Sequence, residues 1–245
     1  MILHTNVYGD GEPVIFLHTG LQTGETDFVY QRNYFQDKYK VIFPDLRAHG
    51  KSKVDEVDMS SYFNQAANDL VDTLDQLKID KAHVVGCSLG ALVGLSLAKR
   101  IPQKVNSLVI SGIIPQKPND WNELRQKDAA MQNALLTHSE VMDYFNSIHK
   151  SDWQEFLAQS IEEDWYPFNE TTDLSMLKCP VLYIVGEDKK HEVFGVSIYP
   201  NQNENIHVAV VPFASHLVHN EQPEVYTAIL DLFFRKVMVG DSYDY

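Results

Sequence analysis

Val84-Val85-Gly86-Cys87-Ser88-Leu89-Gly90-Ala91 is the stretch on which the reading of this chain turns. Ala82 to Val85 is a mostly apolar, strand-like run that ends in Gly86, and a helix-like run, Leu89 to Lys99, begins directly after Ser88. Between them stands G-x-S-x-G in the strand-turn-helix context that gives the pattern a mechanism. Such a turn lifts the Ser88 hydroxyl clear of the backbone. Gly86 and Gly90, having no side chains, let strand and helix approach closely. The free N–H groups of the following helix favour negative charge near the turn. Ser88 is therefore the candidate nucleophile.

Outward from this turn the chain alternates strand and helix. Strands are expected at Ile2 to Tyr8, Pro13 to Leu17, Val41 to Phe43 and Val105 to Ile110, and helices at Phe28 to Gln36 and Tyr62 to Leu77. The second helix carries Ala66, Leu70, Leu74 and Leu77 at helical spacing. Alternation of this kind builds a mostly parallel sheet covered on both faces, with ligands beyond the carboxyl ends of the strands. From Pro115 to Leu177 it breaks into three expected helices, Trp121 to Leu136, Ser139 to Ile148 and Ser151 to Ile161, and an aromatic loop. That is too long for an ordinary connection. Strands resume at Pro180 to Val185 and Ile206 to Val211, and a last helix at Pro223 to Lys236.

Composition narrows the function classes. A chain of 245 residues, 44% hydrophobic, suits one α/β domain with an insertion. A net charge of −14 argues against nucleic acid and anionic membranes, both of which need basic patches. No apolar run reaches the length of a membrane span. Met1 to Tyr8 lacks the pattern of a secretory signal, and the two cysteines, Cys87 and Cys179, read as small buried residues. Both point to a cytoplasmic protein. No metal-ligand spacing and no nucleotide-binding glycine loop stands out, so no cofactor is expected, and the expected partner is a small-molecule substrate.

With these motifs the chain resembles the α/β-hydrolase superfamily over nearly its whole length. The likeness rests on Gly86-Cys87-Ser88-Leu89-Gly90, on His18-Thr19-Gly20, and on Pro44-Asp45-Leu46-Arg47-Ala48-His49-Gly50. The run from Lys178 through Gly186 to Asp188, and Ser215-His216 ahead of Pro223, add to it. The resemblance implies an α/β-hydrolase fold: a mostly parallel, eight-stranded sheet flanked by helices, with an inserted helical cap. The core would be residues 1–114 and 178–245, and the cap 115–177. It also implies a triad in the chain order Ser, acid, His.

A serine hydroxyl needs a base to take its proton, histidine titrates near neutrality, and a carboxylate on the far ring nitrogen fixes its tautomer. His216 and His219 both stand near the expected place for the base. The resemblance selects His216, seven residues before Pro223. His18 and His49 match site-lining loop positions with structural roles. For the acid, relatives place an aspartate three residues after the strand-ending glycine, which here is Lys189. A loop shortened by one residue gives the role to Asp188, with Glu187 as fallback. The oxyanion hole is expected from the backbone N–H groups of Leu89 and Gly20, with Thr19 second to Gly20. Thr19, Leu21, Trp165, Tyr166 and Leu217 are candidate substrate-binding residues.

These assignments imply a serine hydrolase that cleaves a small, fairly apolar carboxylic ester through an acyl-enzyme. The same constellation elsewhere in the superfamily serves lactones, amides, carbon–carbon bonds and perhydrolysis. It also occurs in receptor-type relatives with slow turnover.

Overall fold

The computed structural model describes residues 1–162 and 164–239. Strand β1 (Thr5–Tyr8) leads to β2 (Pro13–Leu17), α1 (Val29–Phe35), β3 (Lys40–Pro44), α2 (Tyr62–Gln76), β4 (Ala82–Cys87) and α3 (Leu89–Arg100). A 3-10 turn at Pro102–Lys104 enters β5 (Val105–Ser111). Four helices come next among the described residues, with no strand between them: α4 (Trp121–Leu135), α5 (Ser139–Ile148), α6 (Trp153–Gln159) and α7 (Phe168–Thr171). The sheet then resumes with β6 (Val181–Gly186), α8 (Lys190–Val193), α9 (Gly195–Gln202), β7 (Ile206–Val211), α10 (Val218–Glu221) and α11 (Pro223–Val239).

Among the described residues the sheet has seven strands in the order β1-β3-β2-β4-β5-β6-β7, one fewer than the resemblance implies. Of these, β1 alone runs antiparallel to its neighbour. The apolar runs of the central strands are explained by burial on both faces. Successive side chains point to opposite sides. Ile15, Leu17, Val84, Leu108 and Ile110 enter the core under α2 and α3. Val14, Phe16, Val85 and Val109 enter the core under α1 and α11. Helix α3 is buried nearly all round, and Gly94 lets it settle on Val84 and Leu108.

The four inserted helices pack more lightly. Only Trp121 of α4 is buried, and no residue of α5 is. Helix α6 is better anchored. Asp152 caps it by accepting from the N–H groups of Gln154 and Glu155 at 3.0 Å, and Trp153, Phe156 and Leu157 are buried. Polar ties hold the segment to the sheet domain. Lys150 N–H donates to Gly50 O at 2.9 Å, Val54 N–H to Ser151 Oγ at 3.0 Å, and Gln159 Nε2 to Val57 O at 2.8 Å. No described helix is long and apolar enough to cross a membrane.

Candidate functional site

The carboxyl end of β4 sets the geometry. Ser88 adopts φ 54° and ψ −117°, a conformation that costs a non-glycine residue about 1–3 kcal/mol. The surroundings enforce it. Ser88 N–H donates to Ser111 O at 2.9 Å. A Cβ on Gly86 would stand 2.4 Å from Gly90 O, and one on Gly90 would stand 2.0 Å from Leu17 O. Strand, turn and helix are thus in backbone contact, and no other residue type fits either position. Leu89 opens α3, so its N–H lies among the orphan donors of the helix start.

His216 lies in the loop after β7, and its Nδ1 is 2.7 Å from Glu192 Oε1. The carboxylate on this ring is therefore Glu192, and the expectation of Asp188 is corrected. Glu192 is 4% exposed on the inner side of α8. Asp188 is exposed, and its backbone N–H donates to Ala214 O at 3.1 Å. The fallback, Glu187, is exposed as well and accepts Phe213 N–H at 2.7 Å. The cause lies at the strand end. A Cβ on Gly186 would sit 2.2 Å from Ser215 O, so the 213–215 turn packs directly on that glycine. Residues 187 and 188 are drawn into this turn, and the chain faces inward again only on α8. There the longer arm of a glutamate spans the gap. Tyr183 OH donates to Glu192 O at 2.7 Å and fixes the main chain that carries the acid. The sequence signal was the length of the Glu192 side chain one turn beyond the loop, in a helix too short to show a period.

Ser88 and His216 both stand beside Gly112. This residue has φ 66°, and a Cβ there would lie 3.0 Å from His216 Cε1 and 3.1 Å from Ser88 N. With Nδ1 bonded to the acid, Nε2 is the free edge of the half-exposed ring. His219 is committed elsewhere. Its Nε2 lies 2.8 Å from Asp27 Oδ1, its ring stacks on Phe28 at 4.1 Å, and it is fully buried.

Opposite the serine turn runs the loop after β2. Thr19 donates both its N–H (2.8 Å) and its Oγ1–H (3.0 Å) to Asp27 Oδ2, so its amide is already occupied. Gly20 is exposed, and nothing lies within 4 Å of where its Cβ would be. Leu21 has φ 62°, and its carbonyl accepts from His149 Nε2 at 3.0 Å. Gly50 N–H donates to His149 Nδ1 at 2.9 Å, which places the ring hydrogen on Nε2. In the same way Leu46 N–H donates to His18 Nε2 at 2.8 Å, and His18 Nδ1–H donates to Thr19 O at 2.8 Å. Burial holds the pKa of His18, His49 and His149 below the ordinary histidine value. These three are neutral structural rings that brace the loops.

The candidate lining residues fall into two groups. Tyr166 is core: it is 9% exposed, its hydroxyl accepts Ile114 N–H at 2.6 Å, and its ring packs on Trp121 and Phe168. The expectation that it lines a pocket is corrected. Trp165 packs edge-on against Tyr166 and is half-buried. Leu217 is half-buried beside His216, with its N–H on Glu221 Oε1 at 2.9 Å. A cleft of about 350 Å³ lies to one side, lined by Lys117, Pro118, Lys190, His191 and Phe194 among others, and neither Ser88 nor His216 borders it.

Comparison with known proteins bears on the fold. Residues 12–132 match the family described as alpha/beta hydrolase fold. The solved structure of NosK from Streptomyces actuosus superposes with a TM-score of 0.80 at 24% identity, covering 92% of this chain and 98% of that one. The chain has the α/β-hydrolase fold, and the relatives it matches are α/β hydrolases. Among its curated relatives, 3-oxoadipate enol-lactonase 1 of Acinetobacter baylyi is 24% identical over 93% of this chain and 91% of its own. A strigolactone esterase of Arabidopsis thaliana is 29% identical over 48% of this chain, and the match spans 45% of that protein's length.

Proposed function

We propose that this protein is a serine hydrolase of small acyl compounds, esters or lactones, with Ser88 as nucleophile, His216 as base and Glu192 as acid. The observation that carries the reading is the 2.7 Å bond between His216 Nδ1 and the buried Glu192, on a ring that shares Gly112 with Ser88. In this reading His216 Nε2 takes the Ser88 proton as Oγ attacks the acyl carbon. Glu192 holds the ring hydrogen on Nδ1 and stabilises the imidazolium. The oxyanion is held by the N–H groups of Leu89 and Gly20. Thr19 drops out as a donor because Asp27 occupies its amide. His216 then returns the proton to the departing alkoxide, and water repeats the attack on the acyl-enzyme. A lactone follows the same steps, with its leaving group still tethered.

Residues 115–177 serve in this reading as a cap over the site. The electrostatic attraction between Asp128, an exposed residue of α4, and both Lys189 and His216 supports this. Esterases and lactonases among the relatives support the reaction class.

The test is labelling with a fluorophosphonate, with the modified residue found by mass spectrometry, alongside turnover of p-nitrophenyl acetate and a simple γ-lactone. Labelling at Ser88, lost in Ser88→Ala, is the expected result. A folded wild type with neither labelling nor turnover would overturn the reading and favour a protein that binds its ligand and keeps it.

A further inference from the structure

We propose that His219 and Asp27 form a second histidine–carboxylate pair whose role is positional, locking the loop that carries Thr19 and Gly20 to the segment that carries His216. The inference rests on the assignment of Ser88 and His216 above.

Both side chains are sealed from water, Asp27 at 1% exposure and His219 at 0%. Besides His219 Nε2–H at 2.8 Å, Asp27 Oδ1 accepts Phe28 N–H at 3.0 Å. Its other oxygen receives the amide and the hydroxyl of Thr19. Burial pushes the Asp27 carboxyl pKa up, but the bonds from His219 and Thr19 outweigh burial and hold it far below the ordinary value. His219 is itself fixed: Gln31 Nε2 donates to its carbonyl at 3.1 Å, and Phe28 stacks on its ring. One carboxylate thus joins the residue before Gly20 to a helical turn that starts two residues after His216.

Stability alone explains this arrangement poorly, because a buried ionic group is often matched or bettered by apolar residues of the same volume. Position explains it. A backbone oxyanion donor works only if it is held in place before charge develops. Gly20 has no side chain with which to fix itself, so its anchor is the preceding residue. Thr19 is held at both of its donors, and the holder is tied to the loop of the base. His219 and Asp27 are positioning residues; neither touches the reacting atoms.

The test compares His219→Leu, His219→Gln and Asp27→Asn with wild type, well below each melting temperature. Three quantities are read: kcat and KM on p-nitrophenyl acetate, and amide exchange in residues 18–24. A glutamine amide stands close to where Nε2 stood and donates to Asp27. His219→Leu and Asp27→Asn are expected to lower kcat by about 10- to 100-fold with KM within about twofold, less than the full loss of an oxyanion donor. Exchange at residues 19–21 should quicken in both, and His219→Gln should restore both readouts. The proposal is overturned if His219→Leu melts earlier yet keeps its kcat, or if His219→Gln is no better than His219→Leu. If the wild type neither labels nor turns over, the assignment of Ser88 falls, and unchanged exchange in His219→Leu would then sink the lock as well.

Discussion

At the scale of single residues the assignments separate into those tied to a local pattern and those tied to packing. Ser88 is legible because two glycines, a strand and a helix must coincide around it. His216 is selected by the resemblance, which sets the histidine seven residues before Pro223. The carboxylate on its ring is not legible, since what fixes Glu192 is the collapse of the 213–215 turn onto Gly186, a contact between segments far apart in the chain. Replacing Glu192 with glutamine should lower kcat by about 10⁴-fold, as loss of the orienting carboxylate does in serine proteases, while Asp188→Asn stays within about threefold. Steady-state kinetics on one ester decides between the two carboxylates. The strain at Ser88 gives a second expectation. Ser88→Gly relieves the positive φ and should unfold about 1 kcal/mol harder in urea than Ser88→Ala, both being inactive.

Among the elements, long helices and central strands follow the sequence closely, because each has a period or an apolar run to declare it. The short helices α8, α9 and α10 have neither and exist through their neighbours. Tyr183 illustrates this: its ring lies against Gly195 and its hydroxyl bonds Glu192 O. The inserted helices bury little and depend on polar ties, of which His149 makes two. It must be neutral, since Nδ1 accepts Gly50 N–H. Burial lowers its pKa in the fold, so the unfolded form binds the extra proton first. The stability it contributes is present above about pH 6.5 and is lost as pH falls below that. Proteolysis within residues 115–177 should therefore quicken between pH 7 and pH 5. His149→Phe should be cut readily at both.

For the whole molecule, the parallel sheet and the cover on both its faces were legible from the alternation of strand and helix. The number of strands was legible too, since the seven runs read as strands coincide with the seven strands of the sheet, and the eighth came from the resemblance alone. Global stability should also respond to acid through the sheet. His83, on β4, turns its ring toward α11, against Ser107 Oγ at 2.7 Å and the Phe234 ring at 5.5 Å. Burial lowers its pKa to about 4. The folded form resists a proton that the unfolded chain accepts, so stability declines as pH drops from about 6.5 toward that value. His83→Gln should flatten this part of the urea-midpoint curve against pH, and an unchanged slope would refute the assignment.

The bond from His149 to the carbonyl of Leu21 joins the inserted helices to the loop opposite Ser88. Loss of this bond would leave the Leu21 peptide, next to Gly20, without that tie to the inserted helices. Under the proposed reading, that single bond would make the readiness of the site depend on where the inserted helices sit.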